Sequence, residues 1–137
     1  MCLPSWLLRW RVLDPMMSAT QGSIAGAYMA MINGWAINLS GGYHHASSYT
    51  GGGFCVYPDI TLAVHFVRKF MGVKRVMIVD LDAHQGNGHG RDFIGDDKTF
   101  IVDCYNPQIY PGDEDAKRGI NQPIYVTRND NDQSYLA

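Results

Sequence analysis

Apolar residues first fall into register after Ser18. Ile24, Ala27, Tyr28 and Met31 recur at helical spacing, which predicts a helix capped by Ser18 or Thr20 and ended by Gly34. Trp35-Ala-Ile-Asn-Leu39 then reads as a short strand leading into a glycine cluster. A second helix follows Tyr57-Pro58-Asp59, with Ile60, Ala63, Val64, Val67 and Met71 along one face and Gly72 at its end. Val76-Met-Ile-Val79 is a continuous apolar run bounded by charge, the pattern of a buried parallel strand. Phe100-Ile-Val102 repeats it, and Ile124-Tyr-Val-Thr127 is a third run of the same kind. Helices alternating with such strands predict βαβ units and a parallel sheet, hence an α/β fold. The polar stretch Arg128–Gln133 reads as a loop. Residues 1–17 (MCLPSWLLRWRVLDPMM) stand outside this order and are expected to be an irregular leader of uncertain origin, with residues 18–137 forming one unit.

Composition narrows the function. The 137 residues suffice for one domain with a core. The 11 basic and 13 acidic side chains leave a net charge of −2, which gives no electrostatic case for direct nucleic-acid binding. Cys2, Cys55 and Cys104 form no spaced pair and read as reduced thiols. No apolar run approaches the ~18 residues that a membrane span needs. Glycine is the unusual number: 15 in all, concentrated in Gly41–Gly53 and Gly86–Gly90, where the backbone adopts special conformations.

Chemistry clusters at those glycines. In extended chain, residues two apart project to one side, so Asp80, Asp82 and His84 share a face at the carboxyl end of a strand. That is where open α/β sheets place ligands. Two carboxylates so close raise each other's pKa unless a cation lies between them, and mixed nitrogen and oxygen donors suit Zn²⁺, Mn²⁺ or Fe²⁺. His44 and His45 are adjacent; in a glycine-opened loop both can face one cavity, with different partners and different basicities. Gly51-Gly-Gly-Phe54 can bring bare backbone and one ring against a narrow ligand, and Tyr110-Pro-Gly112 is a turn with an aromatic beside it.

Gly41-Gly-Tyr-His-His45, Gly53-Phe-Cys55, Asp80-Leu-Asp-Ala-His-Gln-Gly-Asn-Gly88 and Tyr110-Pro-Gly112 together resemble the zinc-dependent histone deacetylase family of the arginase/deacetylase superfamily. Gly34-Trp-Ala-Ile-Asn38 and Ile109-Tyr-Pro-Gly-Asp113 look most like its class IV branch. The resemblance runs from about Gln21 to the C-terminus. It implies a three-layer α/β/α arginase-like fold, here incomplete, and hydrolysis of acyl groups from lysines of histones or other proteins.

By the same resemblance, Asp82 and His84 are two of three protein ligands to a catalytic zinc. His45 is the general base, and His44 assists electrostatically with Asp80 as its partner. Asn87 stands behind His45 where many members carry aspartate. Gly53 faces the departing lysine, while Phe54 and Tyr110 wall the channel. Asp80, Asp82, His84, Asp103 and Cys104 match a structural K⁺ site, and Phe93, Asp96 and Thr99 a second one. The third zinc ligand, in a Gly-x-Asp motif, and the tyrosine of a Gly-Gly-Tyr motif are expected further downstream than Ala137. Asp103, Asp113 or His89 as a replacement ligand has no support in spacing. Other deacetylases or chromatin regulators as partners, and a nuclear or cytoplasmic setting, follow from kinship. Two other readings stay open: a catalytically silent binding or regulatory fragment, and an arginase-type Mn²⁺ ureohydrolase, which wants a further carboxylate near Gln85–Asn87.

Overall fold

The computed structural model describes residues 3–136, so Cys2 lies outside the described residues. Its centre is a three-stranded parallel sheet in the order β1-β2-β3: β1 (Val76–Asp80), β2 (Thr99–Tyr105) and β3 (Gln122–Tyr125). The three apolar runs seen in the sequence therefore pair with one another. The β1–β2 register sets Asp80 beside Asp103.

Two short helices precede the long one. Helix α1 (Ser5–Leu8) continues through a wider π-helical stretch, Arg9–Leu13, into α2 (Asp14–Asn33). Pro15 explains the widening: it lacks an N–H, and its ring clashes with the carbonyl four residues back in a regular helix. The leader expected to be irregular is thus helical from Ser5. Neither Ser18 nor Thr20 caps a helix; both hydroxyls donate back to carbonyls four residues earlier, of Asp14 and Met16. Gly34 does end α2, in the left-handed conformation with φ 88°. The apolar face foreseen on α2 is not buried: Tyr28 and Met31 are exposed, and only Ala19 and Thr20 are fully covered.

Residues 35–39 correct a second expectation. They are irregular, with a bend at Leu39, and pair with no strand among the described residues; Trp35, Ile37 and Leu39 are all exposed. The alternation was strand-like, but a strand forms only where a sheet edge receives its backbone groups.

Helix α3 (Asp59–Met71) carries the predicted stripe, burying Val64 and Val67, and ends at Gly72 with φ 71°. Helix α4 (Asn87–Asp92) crosses from β1 to β2, a 3₁₀ turn (Ala116–Gly119) leads into β3, and α5 (Asp132–Tyr135) lies in the polar tail once read as loop. Val64, Ile78, Phe93, Ile101, Tyr105 and Ile120 form one core on a single face of the sheet. On the opposite face Met77, Val79, Phe100 and Ile124 are exposed. One helical layer is therefore present among the described residues, where the three-layer expectation places two. No helix of the described residues is long and apolar enough to cross a membrane.

The two faces should respond differently to truncation. Ile101→Ala empties a fully buried position and should cost about 2–5 kcal/mol in denaturant unfolding. Met77→Ala on the open face should cost less than about 1 kcal/mol. Equal losses would show that the open face is also packed.

Candidate active site

The site is assembled at the carboxyl end of β1 by a carboxylate from another element. Asp59, fully buried at the start of α3, accepts from the backbone N–H groups of Gly42 and Tyr43, each at 2.7 Å, and from the Ser23 hydroxyl. That folds residues 41–43 into the turn that delivers His44 and His45. Gly41 has φ 94°, and a Cβ there would stand 2.6 Å from Asp59 Oδ2, so the turn admits no side chain. From the other side, Gly88 of α4 donates its N–H to the His44 carbonyl at 2.8 Å.

The two imidazoles lie with ring centroids 4.0 Å apart but have unlike partners. His44 Nδ1 meets Asp80 Oδ2 at 2.8 Å, and His89 Nε2 meets the same oxygen at 2.8 Å. Burial pushes the His44 pKa down, but the hydrogen bond to Asp80 and the charges of Asp80, Asp82 and Asp103 outweigh it and raise it above the ordinary value. His45 Nδ1 meets the amide oxygen of Asn87 at 2.8 Å. There burial prevails; with His44 and His84 nearby, it holds His45 below the ordinary value despite Asn87. One histidine is poised to stay charged, the other to accept a proton.

Asp82 and His84 lie in the turn after β1 with side chains about half exposed, and Asp82 Oδ1 is 3.0 Å from His84 Nδ1. The His84 ring is 5.9 Å from that of His45, centroid to centroid. Tyr110 stands edge-on to His45 at 5.0 Å. Gly53 passes so close beneath the dyad that a Cβ would lie 2.1 Å from His45 Cδ2. Phe54 takes φ 64°, a left-handed conformation costing about 1 kcal/mol or more, and projects almost fully into solvent. These residues surround a cavity of about 320 Å³ lined by His44, His45, Gly53, Phe54, Asp82, His84 and Tyr110.

The remaining predicted residues fall in two places. Asp103 and Cys104 are buried on β2, with Asp103 beside Asp80. Asp103 Oδ2 accepts from Gly86 N–H at 2.9 Å, while Oδ1 has no partner. Burial first, and then Asp80, push its pKa up to about 6. Asp96 and Thr99 sit at the opposite end of β2, where Asp96 binds Arg68 and the Thr99 hydroxyl, and Phe93 belongs to the core.

Among the described residues, three metal-type donors converge at His44, Asp80 and His89, within 4.8 Å of one another. Their 2.8 Å contacts are hydrogen bonds from two imidazoles to one carboxylate oxygen, while His89 Nδ1 is buried with no partner among the described residues. Asp82 and His84 line the cavity with one carboxylate oxygen and one ring nitrogen 3.0 Å apart, donor types that a zinc takes.

Residues 6–136 match the histone deacetylase domain. The chain belongs to the histone deacetylase family. The match begins inside the stretch expected to be a leader. The chain is 45% identical over 133 residues to histone deacetylase 2 of Arabidopsis thaliana, covering 97% of this chain and 34% of that protein. It is 39% identical over 69 residues to the chloroplastic histone deacetylase 10 of Oryza sativa subsp. japonica, covering 50% of this chain and 16% of the relative. Its fold is similar to the crystal structure of an HDAC homolog complexed with SAHA, with TM-score 0.67 and 26% identity, covering 79% of this chain and 31% of that one. The chain thus spans about a third of the length of the Arabidopsis relative.

Sequence reasoning missed three supporting residues. Asp59 was read only as a charge favourable to a helix dipole, yet it builds the histidine turn. His89 and Asp113 were weighed only as replacement zinc ligands. His89 instead braces Asp80, and Asp113 holds Arg91 through contacts of 2.6 and 2.7 Å while accepting from Asn87. Nothing in a single sequence pairs Asp113 with Arg91 across 22 residues.

The Asp113 pair sets a pH signature. Burial opposes ionisation of this carboxyl, but Arg91, the Ala116 N–H and Asn87 hold its pKa below the ordinary value. A depressed carboxylate contributes stability above its unfolded pKa of about 3.9 and loses it as pH falls through the folded value. Arg91→Ala should therefore lower unfolding stability at pH 7, with the deficit shrinking below about pH 4. Urea titrations of both proteins across that range check this; a deficit independent of pH would assign Arg91 a packing role instead.

Proposed function

We propose that this chain carries the histidine-dyad part of a zinc-dependent protein-lysine deacylase, of the class IV type within its family. One observation carries the reading: two adjacent imidazoles of opposed basicity, one backed by the Asp80 carboxylate and one by the Asn87 amide, face a cavity that also holds Asp82 Oδ1 and His84 Nδ1. The relatives' names support the family chemistry.

Asp82 and His84 would be two of the ligands that hold the zinc; the ion would supply Lewis acidity and a readily ionised water. His45, less basic than usual, takes the proton of the attacking water and returns it to the departing lysine amine. His44, held charged by Asp80, stabilises the negative charge that develops on the acyl oxygen. Phe54 and Tyr110 form the walls along which an acyl-lysine side chain lies, and the Gly53 carbonyl receives the amine. The buried, unpartnered Oδ1 of Asp103 beside Asp80 fits a monovalent cation such as K⁺ under the site. The ureohydrolase reading finds no extra carboxylate at residue 87, whose side-chain oxygen is committed to His45. Histones or other acylated proteins as substrates, deacetylases or chromatin regulators as partners, and a nuclear or cytoplasmic setting belong to the same proposal.

The test joins metal analysis to an acyl-lysine peptide assay on the protein that carries this chain. His45→Ala should lower turnover by roughly 10²-fold or more while zinc is retained. Asp82→Ala should lose the zinc itself. A protein that binds no zinc and turns over no acyl-lysine would sink this reading in favour of a silent binding module.

A further inference from the structure

An amide behind His45 leaves a physical question that a carboxylate would not. Asparagine offers an oxygen acceptor or an N–H donor on nearly equal terms, so alone it does not decide which imidazole nitrogen carries the proton. A second side chain decides it. Asn87 Nδ2 donates to Asp113 Oδ2 at 3.3 Å. With the amide turned over, its oxygen would face that carboxylate and the contact would become repulsive. Asn87 Oδ1 must therefore face His45, and as a pure acceptor it requires an N–H at His45 Nδ1, 2.8 Å away.

Asp113 is itself held firmly. Arg91 Nε and Nη2 bind its two oxygens at 2.6 and 2.7 Å, and Ala116 N–H donates to Oδ1 at 3.1 Å. The side chain of Gln85, almost fully buried, binds the Asp113 main chain at both ends: its Nε2 donates to the carbonyl at 2.9 Å and its Oε1 accepts from the N–H at 3.1 Å. Tyr110, whose ring meets His45 edge-on, lies in the same loop.

We infer that Asp113 is a positioning residue that acts through Asn87 to hold His45 in its Nδ1–H tautomer, with the Nε2 lone pair left open to the cavity. The use of that lone pair as a base rests on the proposed deacylase function; the tautomer does not. The arrangement divides between two residues what a single aspartate does elsewhere: Asn87 fixes the geometry, and Asp113 fixes the orientation of Asn87 without placing a full charge against the imidazole. His45 therefore keeps a low basicity and a defined proton position together.

Long-range proton–nitrogen NMR of the full chain with labelled histidines, recorded well above the His45 pKa, reads the tautomer directly. The unmodified chain should show His45 as a single Nδ1–H species. Asp113→Ala should turn that single species into a mixture of the Nδ1–H and Nε2–H forms. The exchange pair Asn87→Asp with Asp113→Asn should restore the single Nδ1–H form, because a carboxylate then faces the imidazole and an amide backs it. The exchange pair separates a lost orientation from a damaged site: its return to a single Nδ1–H form shows that the turn still seats His45. Persistence of the single Nδ1–H form in Asp113→Ala overturns the inference, as does a mixture in the exchange pair. Should Asp113→Ala fail to fold, Asp113→Asn, which keeps the side-chain volume and removes the charge, decides: a single Nδ1–H form there overturns the inference. In the acyl-lysine assay kcat should fall about twofold in Asp113→Ala with KM unchanged, in step with the lost Nδ1–H fraction. Absence of turnover in the unmodified protein would count against the deacylase reading and leave the tautomer result standing.

Discussion

The oxygen Asp80 Oδ2 accepts from two imidazoles at once, at the point where β1 ends and the chain turns toward the site. A carboxylate in this position is nearly buried, and burial of an uncompensated charge is prohibitive. The charge is kept because His44 and His89 approach from two sides while the Asp82 N–H binds the other oxygen. Those three contacts tie together the histidine turn, helix α4 and the turn bearing Asp82 and His84. Removing the charge would leave His44 without its main support and release His89 into a core that offers it no other partner. The seating of α4 and the raised basicity of His44 both follow from satisfying one carboxylate.

Much of this was legible from the residues. Three apolar runs pair as the parallel sheet, and α3 buries the stripe its spacing advertised. Asp82, His84, His44 and His45 meet around one cavity, although β1 ends at Asp80 and a turn, rather than strand alternation, carries Asp82 and His84 there. What escaped was non-local. Trp35–Leu39 has the alternation of a strand, but pairing depends on a neighbour that sequence spacing does not specify. The α2 face looked like core, yet its exposure depends on which element covers it, and among the described residues little does. Residues 1–17 stood outside the helical register that begins after Ser18, yet the chain is helical from Ser5, with a widened turn ahead of Pro15.

The supporting carboxylates show the same division. Asp59 follows a proline at a helix start, an unremarkable place for an acid, and its service to residues 42 and 43 is visible only in three dimensions. Around the dyad, His44, His45 and Asp80 each have a partner contributed by a different element. The site is therefore less a cluster of reactive residues than a meeting of four segments, each held by hydrogen bonds to the next.

Gly53 gives this arrangement an evolutionary asymmetry. Its backbone lies against the His45 ring with no room for even a methyl group, so the floor of the cavity is written in main chain and tolerates almost no substitution. The rim is the reverse: Phe54 and Tyr110 present exposed rings whose size and polarity can drift without disturbing the dyad. Descendants of this chain would diversify in what they admit long before they diversify in what they do to it.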